Sequence, residues 1–131
     1  MKTIIIACAG GMTSSLLCTK VIKAAINRGI KAKFDSVELL LRCEEKQLKA
    51  LDYELLVLYA PVSALDERNA DIFKKYINLV LIAPQVGYME PMVKANLEKE
   101  GLPYKLIDKK QFGLMDGEGI LNSIEDVILN K

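Results

Sequence analysis

The chain has 131 residues, 51% hydrophobic and 27% charged, the profile of a single globular domain over residues 1–131 with enough apolar content for a core. Eighteen Lys and Arg against 17 Asp and Glu leave a formal charge of +1, which supplies no electrostatic footprint for nucleic acid or an anionic membrane. Three cysteines without a histidine argue against a disulfide framework and a Cys/His zinc site, and the absence of a signal-peptide core or a bilayer-length apolar run predicts a cytoplasmic protein with no direct membrane insertion.

Short apolar runs alternate with longer segments of helical period, the pattern of a parallel sheet covered on both faces. The predicted strands are Thr3 to Ala7, Ile30 to Phe34, Glu54 to Tyr59, Asn78 to Ala83 and Tyr104 to Ile107. Between the first two, Leu17, Cys18, Val21, Ile22, Ala24 and Ala25 fall on one side of a helical wheel and Thr19, Lys20, Lys23 and Asn27 on the other, with Gly29 as the stop. A second helix is predicted from the "DSVE" pattern at Asp35 to Leu51, although Glu44 interrupts its apolar side. A third starts at Ser63 and buries Leu65, Ile72, Phe73 and Tyr76; a fourth has Pro91 in its first turn and ends at Gly101. The last, "GEGILNSIEDVILNK", buries Ile120, Leu121, Ile124, Val127 and Ile128. These elements predict an α/β fold: a doubly wound open parallel sheet of four or five strands with helices on both faces, flavodoxin-like or low-molecular-weight-phosphatase-like.

In such a sheet ligands bind beyond the carboxyl ends of the strands, and the first strand ends in "CAGGMTSSLL". Cys8 is the candidate catalytic residue. Ala9, Gly10, Gly11, Met12, Thr13, Ser14 and Ser15 form the candidate phosphate cradle, in which backbone N–H groups curl around an anion and a helix from Ser15 points its positive end at it. That end also favours thiolate over thiol. Read blandly, Cys8 is a small buried hydrophobe and the glycines only let a helix pack closely. Cys18 and Cys43 sit inside predicted helices with no anion loop beside them and read as structural.

Other phosphate loops fail on particular residues. No Lys lies between Cys8 and Cys18 for a nucleoside-triphosphatase loop, and adjacent Gly10 and Gly11 with Ser14 in third place break the dinucleotide fingerprint. A receiver domain would end this strand in acidic residues. A low-molecular-weight tyrosine phosphatase uses a cysteine here with an arginine six residues later, but this chain has Ser14 in that place. Arginines that clamp a transferring phosphoryl group are worth roughly 10³ to 10⁵ in rate, so this loop suits holding a phosphocysteine more than hydrolysing it.

With these residues in view, the chain resembles the enzyme IIB component of the lactose/cellobiose (chitobiose) class of the bacterial phosphoenolpyruvate-dependent sugar phosphotransferase system. The likeness rests on Cys8, Gly11, Met12, Thr13, Ser15, Leu16 and Leu17, on "LIAPQVGYM" with Pro84, Gln85 and Tyr88, and on "MDGEGIL" with Asp116, Gly117 and Gly119. The resemblance implies that Cys8 receives a phosphoryl group from a phosphohistidine of enzyme IIA and passes it to a sugar held by the membrane component enzyme IIC, without cofactor or metal. It places Gln85, Tyr88 and Asp116 near the site, Asp116 shaping the turn before Gly117. The resemblance implies a shorter segment between Phe34 and Asn78 and a four-stranded sheet, so Glu54 to Tyr59 with the helix after it is either an added β-α unit or an edge or irregular insertion. Tyr59 and Pro61 read as strand-end packing and a turn. Two alternatives stay open: a non-catalytic flavin- or phosphate-binding module, for which the chain has no Trp, five Tyr and three Phe to wall a ring, and a cysteine-dependent phosphatase lacking the usual arginine.

Overall fold

The computed structural model describes residues 2–8, 12–42, 52–61, 65, 70–84, 95, 97–99 and 101–126. Their strands are β1 (Lys2–Cys8), β2 (Ala32–Ser36), β3 (Leu55–Pro61), β4 (Leu79–Ile82) and β5 (Tyr104–Leu106). The helices are α1 (Met12–Asn27), α2 (Glu38–Arg42), α3 (Ala70–Tyr76), α4 (Lys109–Gly113) and α5 (Gly117–Ile124), with a further helical stretch at 97–99.

All five strands are parallel, in the order β2-β3-β1-β4-β5. Parallel strands need crossovers, and right-handedness assigns each crossover to a face by its direction. The single crossover toward the β2 edge, from β1 to β2, carries α1. The three that return toward β5 carry α2, α3 and the 97–99 stretch on the opposite face. Two apolar layers result. Ile4, Ile6 and Cys8 pack with Leu17, Val21, Phe112, Leu121 and Ile124 on the α1–α5 face, and Ile5 and Ala7 pack with Val37, Leu65, Phe73 and Leu97 on the other. Burial on both faces explains why β1 reads as an unbroken apolar run rather than an alternation.

The segment around 55–61 is neither an edge nor an irregular insertion. It lies between β1 and β2, pairing Lys2 with Leu55 through Cys8 with Pro61 on one side, and Ala32 with Leu55 through Ser36 with Tyr59 on the other. The sheet is doubly wound as expected, but its order differs from the flavodoxin order 2-1-3-4-5 by this interposed strand. Leu55, Leu56, Val57 and Leu58 are all fully buried, which suits an interior position. Tyr59 packs its ring 6.4 Å from that of Phe34, the strand-end packing expected of it.

Helix ends follow their local chemistry. Gly29 takes φ +80°, and Ile30 N–H closes back on Ala25 O at 2.9 Å while Gly29 N–H reaches Ile26 O, so a left-handed residue stops α1. Gly101, at φ +71°, stops the 97–99 stretch with Leu102 N–H on Leu97 O. α2 starts later than its sequence pattern suggests. The Asp35 carboxylate accepts from Ser36 N–H, and the Ser36 hydroxyl accepts from Glu38 N–H. That helix is described only to Arg42, so the rest of the predicted span, with Cys43, lies outside the described residues. Leu65 occupies a bend rather than the first turn of α3, although it is buried as expected. The apolar spacing that holds α3 is carried by Ile72, Phe73 and Tyr76, and removing the Phe73 ring would cost about 3 to 5 kcal/mol. Val127 and Ile128 lie outside the described residues. Arg28 ties α1 to α5, donating to Glu118 at 2.6 Å and Glu125 at 3.1 Å.

Candidate active site

Cys8 is the last residue of β1 and α1 begins at Met12, so only residues 9–11 separate the thiol from a 16-residue helix. The helix starts earlier than expected: Met12, Thr13, Ser14 and Ser15 make up its first turn rather than the loop before it. The first N–H groups of such a helix have no intrahelical acceptor, and its dipole adds partial positive charge at the same end. The end of β1 thus lies a three-residue connection from the first turn of α1, between the ends of β3 and β4. Both of those strands send their connections to the face opposite α1, so this is the place where the winding of the sheet reverses.

The neighbours follow from the register. Pro61 of β3 stands opposite Cys8, and Ile82 of β4 opposite Ala7, with Ala83 N–H donating to Ala7 O at 2.8 Å. Lys2 N–H donates to Glu54 O, and Leu55 N–H to Lys31 O, so odd residues of β3 turn their N–H groups toward β2. At position 61 that direction lies beyond the end of β2, and a proline, which has no N–H, leaves no bond unmade there.

Cys8 is 1% exposed and its side chain belongs to the α1–α5 layer. Cys18 lies in the same layer, fully buried, and burial followed by the nearby Cys8 pushes its thiol far above the ordinary range. Cys18 therefore stays a thiol, as its structural reading requires. Ser15 is half-buried and its carbonyl accepts from the Thr19 hydroxyl at 3.1 Å. Ala9, Gly10, Gly11, Gln85 and Tyr88 lie outside the described residues, as do the side chains of Met12, Thr13 and Ser14. Pro84, which precedes Gln85, is half-buried just beyond β4.

Asp116 holds a structural position. It caps α5, its carboxylate accepting from Gly119 N–H at 3.0 Å, which agrees with its role in shaping the turn. The capped end packs on the middle of α1, where a Cβ at Gly117 would overlap the Lys20 carbonyl. Lys20 is eight residues beyond Met12, about 12 Å along the helix axis. A motif at the far end of the sequence gives no sign of which turn of α1 it will meet.

The sequence reading also missed α4, whose five residues are too few to show a period; Asp108 caps it, accepting from Lys110 and Gln111 N–H at 3.0 and 3.2 Å. Among the described residues no three Cys, Asp or Glu side chains converge as metal ligands. Nor is any helix there long and apolar enough to cross a membrane.

No protein-family model matches the chain. It is 28% identical over 127 residues, 97% of its length and 96% of the relative's, to the cellobiose-specific EIIB component of the PTS system of Lactococcus lactis subsp. lactis. The same figures hold for the galactose-specific EIIB component of L. lactis subsp. cremoris. Among solved structures, the cellobiose-specific phosphotransferase IIB component of Borrelia burgdorferi superposes with a TM-score of 0.64 at 18% identity, covering 99% of this chain and 94% of that one. The lactose-specific IIB domain of Streptococcus pneumoniae gives 0.62 at 15% identity, with 97% of each chain covered. A de novo designed protein of P-loop NTPase fold also gives 0.62, at 17% identity, covering 96% of this chain and 91% of its own.

Proposed function

We propose that this chain, a relative of PTS EIIB components along nearly its whole length, carries a phosphoryl group on Cys8 between a phosphohistidine donor, enzyme IIA, and a sugar bound by the membrane component enzyme IIC. The observation that carries the proposal is the placement of Cys8: a thiol ending a central strand, with only three residues between it and a long helix, where the winding of the sheet reverses.

In the forward step the Cys8 sulfur, as thiolate, attacks phosphorus, the S–P bond forms and the histidine N–P bond breaks. The released imidazole leaves on the donor. No base is needed once the thiol is ionised. In the second step a sugar hydroxyl oxygen attacks the same phosphorus, the S–P bond breaks, the thiolate is restored and the hydroxyl proton goes to a base on the acceptor side. Between the two, the N–H groups that begin α1, with the backbone of residues 9–11 and the Thr13 and Ser15 hydroxyls, hold the three phosphoryl oxygens. Ser14 in place of an arginine leaves attack by water without a guanidinium clamp, so the phosphocysteine persists until a partner takes it. The chain has no histidine, and the donor is accordingly another protein.

The test is intact-mass measurement after mixing the chain with phosphoenolpyruvate, the general phosphotransferase proteins and candidate enzyme IIA partners. One added phosphoryl group is expected, resistant to mild acid that strips phosphohistidine, and absent in Cys8→Ser. Label that persists in Cys8→Ser, or that maps to Cys18, rejects the proposed site.

A further inference from the structure

α5 meets α1 through a residue that has no side chain. A Cβ at Gly117 would overlap the Lys20 carbonyl group and press on the Lys20 Cβ at 3.0 Å, so the first turn of α5 rests on the backbone of α1. Gly119, about 200° further around the same helix, faces the other way. A Cβ there would meet the Gln111 side-chain nitrogen of α4 at 2.9 Å, and Asp116 N–H donates to Gln111 O, also at 2.9 Å. The first turn of α5 is therefore held between two neighbours and cannot back away from α1 without displacing α4. The Asp116 carboxylate is bonded inside that turn, to Gly119 N–H, and is a separate matter from the contact with Lys20.

α1 is tied to α5 at a second place. Arg28, just past its last turn, donates to Glu118 at 2.6 Å and Glu125 at 3.1 Å. Lys20 lies midway between Met12 and Arg28. A methyl at Gly117 becomes an ordinary contact only after the two helices part by about 1 Å. With the Arg28 end held, a stiff helix pivots, and the displacement at Lys20 doubles to about 2 Å at Met12. The Met12 end is the one joined to Cys8 by residues 9–11. Misplacement by about 1 Å around a reacting group can cost about 10²-fold in rate.

We infer that Gly117 is a positioning residue for phosphoryl transfer: its bare Cα sets the separation of α5 from α1, and thereby holds the first N–H groups of α1 where they serve Cys8 and the phosphoryl group it accepts. The inference rests on the carrier reading for the reaction that is served, whereas the effect on the thiol itself is independent of it.

The experiment follows alkylation of Cys8 by iodoacetamide against pH, read by peptide mass so that Cys18 and Cys43 are counted apart, together with the rate of phosphoryl transfer from phosphorylated enzyme IIA at saturating donor. Gly117→Ala is compared with wild type and with Ile77→Ala. Ile77 is buried in the opposite apolar layer, next to Asn78 at the amino end of the sheet, and its truncation destabilises the chain away from Cys8. Measurements are made at 10 °C with circular dichroism confirming the fold, and in sucrose, which favours the compact state, where Gly117→Ala requires it. Looser access to Cys8 scales alkylation at every pH and leaves the midpoint of the profile in place, but a displaced helix end favours the thiolate less and moves the midpoint upward. Gly117→Ala is expected to lower the thiolate fraction at pH 7 about threefold and to slow transfer at least tenfold, with Ile77→Ala within twofold of wild type in both. Adding Arg28→Met to Gly117→Ala frees the pivot and is expected to recover part of both losses, although it lowers the thermal midpoint further. A thiolate fraction and a transfer rate for Gly117→Ala within twofold of those of Ile77→Ala overturn the inference and leave the carrier reading intact, and further loss in the double variant overturns the pivot. Failure of every enzyme IIA to phosphorylate wild type overturns the carrier reading, and the alkylation profiles then decide the positioning by themselves.

Discussion

Cys8 and Pro61 stand opposite each other at the ends of two adjacent parallel strands. The pairing makes β3, and not β2, the strand that borders the candidate site on that side.

An interior β3 has a measurable signature. Amide protons of Leu56, Val57 and Leu58 are expected to exchange as slowly as those of Ile4 to Ile6, near the rate set by global unfolding. Exchange of β3 amides that is faster by several orders of magnitude than that of β1 would place the strand at an edge and contradict the order found here.

Cys18 makes stability depend on alkaline pH. Its thiol holds its proton well above the ordinary value when folded, so the folded chain binds more protons than the unfolded chain once the pH exceeds about 9. Stability is present in full below that pH and falls as pH rises, by up to about 1.4 kcal/mol per pH unit. Urea unfolding from pH 8 to 10.5 is expected to show a shallower decline in Cys18→Ala than in wild type, even though the variant starts less stable from its cavity. Parallel declines would reject the assignment to Cys18.

The α5 cap is structural and separable from chemistry. Gly117→Ala drives a methyl into the Lys20 carbonyl and is expected to cost about 1 to 3 kcal/mol. Asp116→Ala removes the cap on Gly119 N–H and costs about 1 kcal/mol. Asp116→Ala is expected to accept a phosphoryl group within about threefold of the wild-type rate at 20 °C. A hundredfold loss with the fold retained would return Asp116 to the transfer site.

Ser14 separates carrier from phosphatase. Wild type is expected to hydrolyse an aryl phosphate negligibly, and Ser14→Arg to gain only a little, because a guanidinium adds charge stabilisation without a general acid. The same substitution is expected to impair transfer from enzyme IIA clearly, Cys8→Ala to abolish it and Gly11→Val to weaken it. Vigorous Cys8-dependent aryl-phosphatase turnover by wild type would make the chain an unusual phosphatase.

Much of this architecture is legible in the residues. The α1 wheel assigns Leu17, Cys18, Val21, Ile22, Ala24 and Ala25 to the core correctly because a 16-residue helix repeats its period several times, and Gly29 marks its end because few other residues tolerate positive φ. Cys8 falls at a strand end because the apolar run stops there. The strand order is not legible. "LLVL" reads the same wherever a strand is covered on both faces, and order depends on which crossover skips a neighbour, a property of the assembled sheet. The start of α1 was misplaced by three residues because Thr13 and Ser14 suit a loop or a first turn equally well. Asp116 is legible as a turn-shaping residue because capping is written in adjacent residues, as its bond from Gly119 N–H shows.

The register holds one more consequence. Ala32, Leu55 and Lys2 lie in one row across the sheet, as do Ser36, Tyr59 and Ile6, so every row through β3 joins residues that share a face. Were β3 and α3 excised, β2 could slide sideways and zip onto β1 with Phe34 beside Ile4 and no side chain inverted, whereas a slip of one residue would turn the whole apolar set outward. The interposed unit therefore behaves like a leaf in an extending table: the sheet can lengthen or shorten at its middle while the thiol, its cradle and the pattern of inward side chains keep their places.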